Sequence, residues 1–228
     1  MRLAIVIPVL DEGRVIAAAL ADLQVLRTRG VQVIVVDGGS HDDTCEKART
    51  LADDVIAAPR GRARQMNAGA AHAGTAADVL LFLHADTRLP DDADRLLAAA
   101  IAAGVRWGRF DVRISGRSPW LNVVAHLMNS RSRWSGICTG DQAIFVERRL
   151  FEELGGYGDL PLMEDIDFSR RARRIAWPGA LRPAAITSGR RWEQRGVWRT
   201  ILQMWSLRWR YYRGVDPAVL ARDYREVR

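Results

Sequence analysis

The sequence predicts an α/β protein in which a mostly parallel, doubly wound sheet is flanked by helices and followed by a C-terminal amphipathic helical segment. Apolar, largely β-branched runs at residues 3–9, 33–36 and 79–83 indicate buried strands. Helical periods separate these runs, so the strands are expected to pair in parallel through right-handed crossovers. A carboxylate follows each run within about three residues, at the edge where open α/β sheets bind ligands.

The first half of the chain alternates strands and helices. After the first strand, apolar residues recur at a helical period over residues 15–26, and Asp11 is placed to cap this helix. The second strand ends at Asp37, and Ser40 with Asp43 resembles a capping box that opens the next helix. The other elements expected in this half are a strand at 54–57, a helix near 65–73 and a strand at 79–83.

The second half is less regular. Residues 107–114 alternate between apolar residues and Arg or Asp, which is typical of a strand, and we expect this strand to join the sheet antiparallel. From Trp198 to Tyr212, apolar residues recur every three or four positions, which predicts an amphipathic helix flanked by arginines. The remaining predicted elements are helices at 96–103, 120–129 and 164–174 and a short strand at 143–146.

Length and composition indicate one folded domain. A chain of 228 residues can bury one substantial core. Cys45 and Cys138 form no CxxC arrangement, so neither a zinc site nor a disulfide framework is indicated. Asp11 and Glu12 interrupt the first apolar run too early for a signal peptide, and no apolar run reaches the ~18 residues that a membrane span needs. We therefore expect a cytoplasmic protein.

Basic charge is concentrated at the C-terminal end. The net charge is +7, and residues 170–228 hold 15 Arg but only four acidic residues. Arginine binds phosphate in a fork and stacks on aromatic rings, so a nucleotide, a nucleic acid or an anionic membrane would each fit. No recognisable nucleic-acid motif accompanies the arginines, so we expect no nucleic-acid partner. The helix at 198–212 either packs on the core, lies on a membrane surface as a peripheral contact, or forms a subunit interface.

Four segments together resemble the family 2 glycosyltransferases, whose nucleotide-sugar-binding domain has the Rossmann-like GT-A fold. They read IVIPVLDE from Ile5, DGGSHDDT from Asp37, LHADTRLP from Leu83 and GGYGDLPLMEDIDF from Gly155. With HAD in place of DxD, and with GRARQMNAGA and GDQAIF beside it, the chain is similar to a small bacterial subgroup often named rSAM/selenodomain-associated transferase 2. The resemblance implies one GT-A domain with a nucleotide-sugar half at 1–115, an acceptor and catalytic half at 116–190, and a helical basic tail at 191–228.

The resemblance also implies roles for individual residues. Asp165 matches the catalytic base and Glu164 its partner. Asp86 matches the metal-binding aspartate, for Mg²⁺ or Mn²⁺, and His84 stands where many relatives have Asp. The implied donor-binding residues are Pro8, Asp11, Glu12, Asp37, Gly38, Arg64, His84, Ala85 and Asp86, and the implied acceptor-binding residues are Asp141, Gln142, Arg190, Arg191 and Trp192. For Arg60 and Arg62, a solvated surface position stays open.

The implied activity is inverting transfer of a sugar from a nucleotide-diphosphate sugar to an unidentified small-molecule or lipid acceptor. Asp165 would take the proton of the attacking hydroxyl. Two other classes stay open. A nucleotidyltransferase would want a glycine-rich basic loop after the first strand, where residues 10–13 are instead acidic. A non-catalytic basic module would bind nucleotide or membrane through the C-terminal arginines.

Overall fold

Helices cover both faces of an eight-stranded mixed sheet. The computed structural model describes residues 1–226, except for the side chains of residues 191, 225 and 226. The strands are β1 (Leu3–Val9), β2 (Gln32–Asp37), β3 (Asp54–Ala57), β4 (Val79–Phe82), β5 (Thr87–Arg88), β6 (Trp107–Ser115), β7 (Ile144–Glu147) and β8 (Gly179–Ser188). The helices are α1 (Ile16–Asp22), α2 (Gln24–Arg27), α3 (Thr44–Arg49), α4 (Arg62–His72), α5 (Ala93–Ala102), α6 (Trp120–Ser135), α7 (Arg148–Glu153), α8 (Glu164–Ala172), α9 (Arg190–Arg195), α10 (Val197–Tyr212) and α11 (Pro217–Glu226).

The strand order is β3-β2-β1-β4-β7-β6-β8-β5. The first four strands pair in parallel, as their strand–helix alternation predicts. β6 pairs antiparallel with β7, which confirms the added antiparallel strand. The sequence analysis missed β8, which pairs in parallel with β6, and the short β5, which pairs antiparallel with β8. The predicted α/β class with a mostly parallel sheet is confirmed.

The register brings the ends of three strands to one edge of the sheet. Val9 of β1 lies opposite Asp37 of β2, and Val6 of β1 lies opposite Phe82 of β4. The N–H of Gly38 donates to the carbonyl of Val9 at 3.0 Å. The segments that follow these strands therefore open on the same side of the molecule.

The alternation in β6 does not separate a buried face from a solvated one. Arg109 and Asp111 are both buried, because helix α6 covers the polar side of the strand. Arg109 and Arg133 donate to the Asp111 carboxylate, and Arg182 donates to it at 3.0 Å. Burial opposes ionisation, but these hydrogen bonds hold the pKa of Asp111 below its ordinary value. The cluster joins β6, α6 and β8.

Two predicted helix caps are wrong. Asp11 does not cap α1; its Oδ1 accepts the N–H of His41 at 2.8 Å, and its own N–H donates to Ser40 Oγ at 2.9 Å. Ser40 bonds Asp37 rather than opening α3, and Asp42 accepts the N–H of Thr44 at 3.0 Å. Asp11 and Asp42 instead join the loops that follow β1 and β2, since Asp42 also accepts the N–H of Gly13 at 2.9 Å, and such long-range partners compete with local capping.

Helix α10 is apolar on two faces, of which the chain covers one. Leu207 packs against α8 and α11, and Ile201 packs against α6 and α9. The helix therefore packs on the core through this face, while the aromatic stripe of the sequence lies on the opposite face and is exposed. Its exposed members are Trp198, Leu202, Trp205, Trp209 and Tyr212. Among the described residues, no helix combines the length and the apolar character needed to cross a bilayer.

Candidate active site

The turn after β2 is built around a buried carboxylate. Asp37 accepts the N–H of Gly39 at 3.0 Å, and it accepts both the N–H and the hydroxyl of Ser40. Burial acts against ionisation, but these hydrogen bonds keep the pKa of Asp37 below its ordinary value. Gln65 donates to the carbonyls of Val9 and Val36 at 2.8 Å, and a Cβ on Gly38 would lie 3.0 Å from its amide. The predicted donor residues Asp37 and Gly38 thus shape the sheet edge.

Asp86 lies on a loop that β8 holds in place. The N–H of Ser188 donates to the Asp86 carbonyl at 3.0 Å, and the hydroxyls of Thr87 and Thr187 bond at 3.0 Å. The Asp86 side chain itself is exposed to the cleft, and within the described residues it accepts a hydrogen bond from the Thr87 hydroxyl at 3.4 Å. Its carboxylate oxygens are available to an external ligand.

The acidic pair begins helix α8 and faces the same cleft. Asp165 Oδ1 accepts the N–H of Ile166 at 2.7 Å, and Oδ2 accepts the N–H of Gly140 at 3.0 Å. Gly140 opens a 3₁₀ turn that ends at Gln142, and a capping box between Thr139 and Gln142 fixes this turn. The two backbone N–H groups therefore orient the Asp165 carboxylate.

Burial perturbs the ionisation of this pair. Burial, followed by the neighbouring Asp165 charge, raises the pKa of Glu164 to about 7. Burial also raises the pKa of Asp165, although the Gly140 N–H acts in the opposite direction. A carboxylate whose pKa approaches neutrality is a better proton acceptor than an ordinary one. The arrangement suits general base chemistry.

Arg62, and not Arg64, enters the cleft. Arg64 lies on the surface and forms a two-point ion pair with Asp159 at 2.7 and 2.8 Å. Arg62 projects among the acidic side chains while staying open to the cavity. Burial opposes its charge, but Glu164, Asp165 and Asp86 raise the pKa of Arg62. Arg62 is exposed, and it borders the acidic side chains of the cavity, whereas Arg64 stands apart from them.

These groups share one cavity of about 500 Å³. Asp141 and Trp192 line it together with Asp86 and Asp165, whereas Gln142 lies beneath it, fully buried. Arg190 lines a second cavity, of about 560 Å³, with the predicted donor residues Asp11 and Glu12. The side chain of Arg191 lies outside the described residues. The structure thus divides the predicted acceptor residues between two places.

His84 packs against the turn that holds the base. A Cβ on Gly140 would lie 2.5 Å from Nε2 of His84, so only glycine permits this contact. Burial, and then the charge of Arg62, lower the pKa of His84 to about 3. The imidazole is therefore neutral, while the adjacent Ala85 is buried.

The residues of this site can hold part of a divalent cation shell. Among the described residues, no group of three or more His, Cys, Asp and Glu side chains is arranged to bind a metal. The accessible Asp86 carboxylate supplies the hard oxygen that Mg²⁺ and Mn²⁺ prefer. These residues fit a cation whose remaining ligands come from a diphosphate and water.

Sequence reasoning missed the three arginines that line the cavity, Arg62, Arg131 and Arg208. Arg62 shares a helical face with the buried residues Gln65 and Gly69, so the phase of α4 could have distinguished it from Arg64. Arg131 was missed because helix α6 extends to Ser135, beyond its predicted end. No local signal distinguishes Arg208 from the other arginines of α10.

Comparison with known proteins finds a family and solved structures that this chain resembles. Residues 4–154 match the family model described as Glycosyl transferase family 2. The chain is 31% identical over 135 residues to the succinoglycan biosynthesis protein ExoA of Rhizobium meliloti (strain 1021), a match that covers 56% of this chain and 41% of that protein.

Solved structures show the same fold. TarS 1-349 of S. aureus, in complex with UDP-GlcNAc, has a TM-score of 0.65 at 17% identity and covers 82% of this chain and 58% of its own. Mannosyltransferase PcManGT of Pyrobaculum calidifontis, in complex with GDP-Man and Mn²⁺, has a TM-score of 0.60 at 22% identity, with 82% and 56% covered. The chain spans less than two thirds of ExoA, TarS and PcManGT. The predicted GT-A fold is confirmed.

Proposed function

Because the chain belongs to glycosyl transferase family 2, we propose that it transfers a sugar from a nucleotide-diphosphate sugar, with inversion, to an acceptor bound in the main cavity. One observation carries the proposal. Asp86, Arg62 and the Glu164–Asp165 pair converge on one cavity, and burial raises the pKa of the acidic pair. Membership of the bacterial subgroup with the HAD motif is part of the same proposal.

The proposed reaction is a single displacement. The acceptor oxygen attacks the anomeric carbon as the bond from that carbon to the diphosphate breaks, and the diphosphate leaves with the bonding electrons. Asp165 accepts the proton of the attacking hydroxyl, and its orientation by the Gly140 N–H serves this transfer. Glu164 shares the negative charge of the pair and holds Arg62 by charge attraction.

The donor lies along the sheet edge in this proposal. A divalent cation at Asp86 would neutralise charge on the leaving diphosphate. Arg62 places a second positive charge in the same cleft, while Arg64 is engaged by Asp159. We propose a UDP or GDP sugar, because TarS and PcManGT were solved with UDP-GlcNAc and GDP-Man.

Calorimetry tests the proposal. UDP, GDP and dTDP are titrated into the wild-type protein and Asp86→Ala, with Mn²⁺ and then with EDTA. We expect one nucleotide to bind in a metal-dependent way and the substitution to abolish this binding. Metal-independent binding that survives both Asp86→Ala and Asp165→Asn would instead support the non-catalytic basic module.

We also propose that the protein docks on an anionic membrane through the outer faces of α6 and α10. This α6–α10 surface consists of Trp120, Val123, Leu127, Trp134, Trp198, Leu202, Trp205, Trp209 and Tyr212, all exposed. Trp134 is 91% exposed, and the rings of Trp120 and Trp198 lie 5.2 Å apart, which joins the two stripes.

The positive charge of α6 and α10 supports an anionic membrane as the partner of this surface. The two helices contain several arginines and neither Asp nor Glu. Exposed tryptophan with arginine beside it suits the interface of an anionic bilayer. Two cavity residues, Leu127 and Trp205, belong to this surface, so a docked enzyme would open its cavity toward the lipid.

Co-sedimentation with vesicles tests the docking. We expect binding to vesicles that contain phosphatidylglycerol, weaker binding to pure phosphatidylcholine, and loss of binding when Leu202→Gln is combined with Trp209→Gln. Val25→Gln, an exposed apolar position on α2, is the control. Equal binding of all variants would contradict the proposal.

A further inference from the structure

Two arginines extend into the cavity beyond the acidic pair. Arg131 comes from α6 and Arg208 from α10, and both line the same cavity as Asp141 and Asp165. Asp165 influences both Arg62 and Arg131, whereas Asp86 acts on Arg62 and Asp141 acts on Arg131. Arg131 thus shares the cavity with Asp141 and Asp165.

Arg131 is incompletely bonded. Its Nε and one terminal nitrogen are buried, and within the described part of the chain neither has a hydrogen-bond partner. Burial, and next the charge of Arg208, lower the pKa of Arg131 to about 10, and the nearby Asp141 and Asp165 only partly offset this. An unsatisfied buried guanidinium is costly unless a ligand completes its bonds.

The helix that carries Arg131 is firmly placed. Asn129 exchanges hydrogen bonds with the backbone of Val112 at 2.9 and 3.0 Å, and its carbonyl accepts a bond from Arg109 at 3.0 Å. Arg131 is thus presented by a preorganised scaffold, which favours binding of a complementary anion.

The walls next to the arginines are apolar. Val124, Leu127 and Met128 of α6 face Ile201, Met204 and Trp205 of α10. The cavity therefore combines positive charge inside with an apolar channel that reaches the exposed residues Leu127 and Trp205.

We propose that the acceptor is a hydroxyl-bearing amphiphile with a phosphate ester, whose phosphate is bound by Arg131 and Arg208, whose apolar chain lies between α6 and α10 and whose hydroxyl attacks the sugar. This inference rests on the proposed function and names the class of its acceptor. Arginine matches phosphate oxygens in a two-point geometry, which would satisfy the free nitrogens of Arg131.

Binding of dodecyl phosphate, below its micelle concentration, tests the inference by calorimetry. Dodecanol supplies the chain alone and methyl phosphate the anion alone. We expect dodecyl phosphate to bind at least tenfold more tightly than either, and we expect Arg131→Gln and Arg208→Gln each to weaken it about tenfold. The exposed Arg149→Gln is a charge-matched control that should bind as the wild type does.

Three results would overturn the inference. Dodecanol that binds as tightly as dodecyl phosphate would indicate an apolar site only. Equal losses in Arg131→Gln and Arg149→Gln would show that Arg131 does not contact the phosphate. Loss of metal-dependent nucleotide binding in a folded Arg131→Gln would assign this arginine to the donor. Failure of nucleotide binding in the wild type would instead count against the proposed function, so the two failures are distinguishable.

Discussion

The carboxylate of Asp165 accepts the backbone N–H of Gly140 at 3.0 Å, which ties the first turn of α8 to the 3₁₀ turn before β7. The same glycine provides the space in which His84 packs. The proposed base, the turn at residues 140–142 and the loop that carries Asp86 therefore form one connected unit.

Removal of the base should separate catalysis from binding. Asp165→Asn keeps an oxygen that can accept the Gly140 N–H but cannot accept a proton, so we expect kcat for sugar transfer to fall by about 10³-fold. Nucleotide affinity measured by calorimetry should change by less than about threefold, because the substitution removes proton transfer in the transition state and leaves the contacts to the bound nucleotide in place. A kcat within about tenfold of the wild type would exclude Asp165 as the base.

Sugar transfer should lose activity in acid at a higher pH than an ordinary aspartate would produce. Burial raises the pKa of Asp165, and it raises the pKa of Glu164 to about 7, so protonation of Asp165 removes the base in a pH range above that of an ordinary aspartate. We expect kcat to decline toward about tenfold per pH unit below that range. A kcat that stays constant down to about pH 5 would contradict a raised pKa for the base.

The same pair should lower the stability of the protein as pH rises, whereas it raises activity over the same change in pH. A carboxyl whose pKa is raised by folding stabilises the protein below its unfolded pKa, and this contribution is lost as pH rises through the folded value. Glu164→Gln should therefore raise the free energy of unfolding by roughly 2 kcal/mol at about pH 8 and by little at about pH 4. Urea denaturation at both pH values measures the difference.

Two neighbouring arginines of α4 provide a matched pair for the donor site. Arg62→Gln removes the charge that faces the acidic cluster, and we expect the Kd for the nucleotide with Mn²⁺ to rise by about tenfold. Arg64→Gln breaks only an exposed ion pair with Asp159 and should change this Kd by less than about twofold. Calorimetry measures the Kd of both variants. A larger rise in Kd for Arg64→Gln than for Arg62→Gln would indicate that Arg64 contacts the donor.

The buried ion cluster on β6 should be important for stability. Asp111→Asn leaves the buried Arg109 without its counter-charge, so we expect the free energy of unfolding to fall by about 3 kcal/mol. Arg182 is 74% exposed, and Arg182→Gln should cost less than about 1 kcal/mol. Chemical denaturation measures the free energy of unfolding of both variants. Similar losses in the two would show that the unpaired charge of Arg109 is not what destabilises Asp111→Asn.

Much of the N-terminal half of this fold was predictable from short-range patterns. The apolar runs of β1, β2 and β4 identified the parallel strands, and the positions of Asp37 and Asp86 after them followed from strand order. β8 escaped prediction because its ten residues include Arg182 and Pro183 and show no clear period. Its pairing with β6 depends on residues about 70 positions away in the sequence, so no local signal revealed it.

The order of strands and helices along the chain is enough to place Asp37 and Asp86 at the sheet edge, because parallel strands joined by helices must end on the same side. Which side chains meet there depends on long-range packing. Arg62 enters the cleft because helical phase and the carboxylates of α8 select it, while Asp159 engages Arg64. The exposed stripe of α10 was likewise decided by long-range packing, since both faces of the helix are apolar and α6, α8 and α11 cover only one.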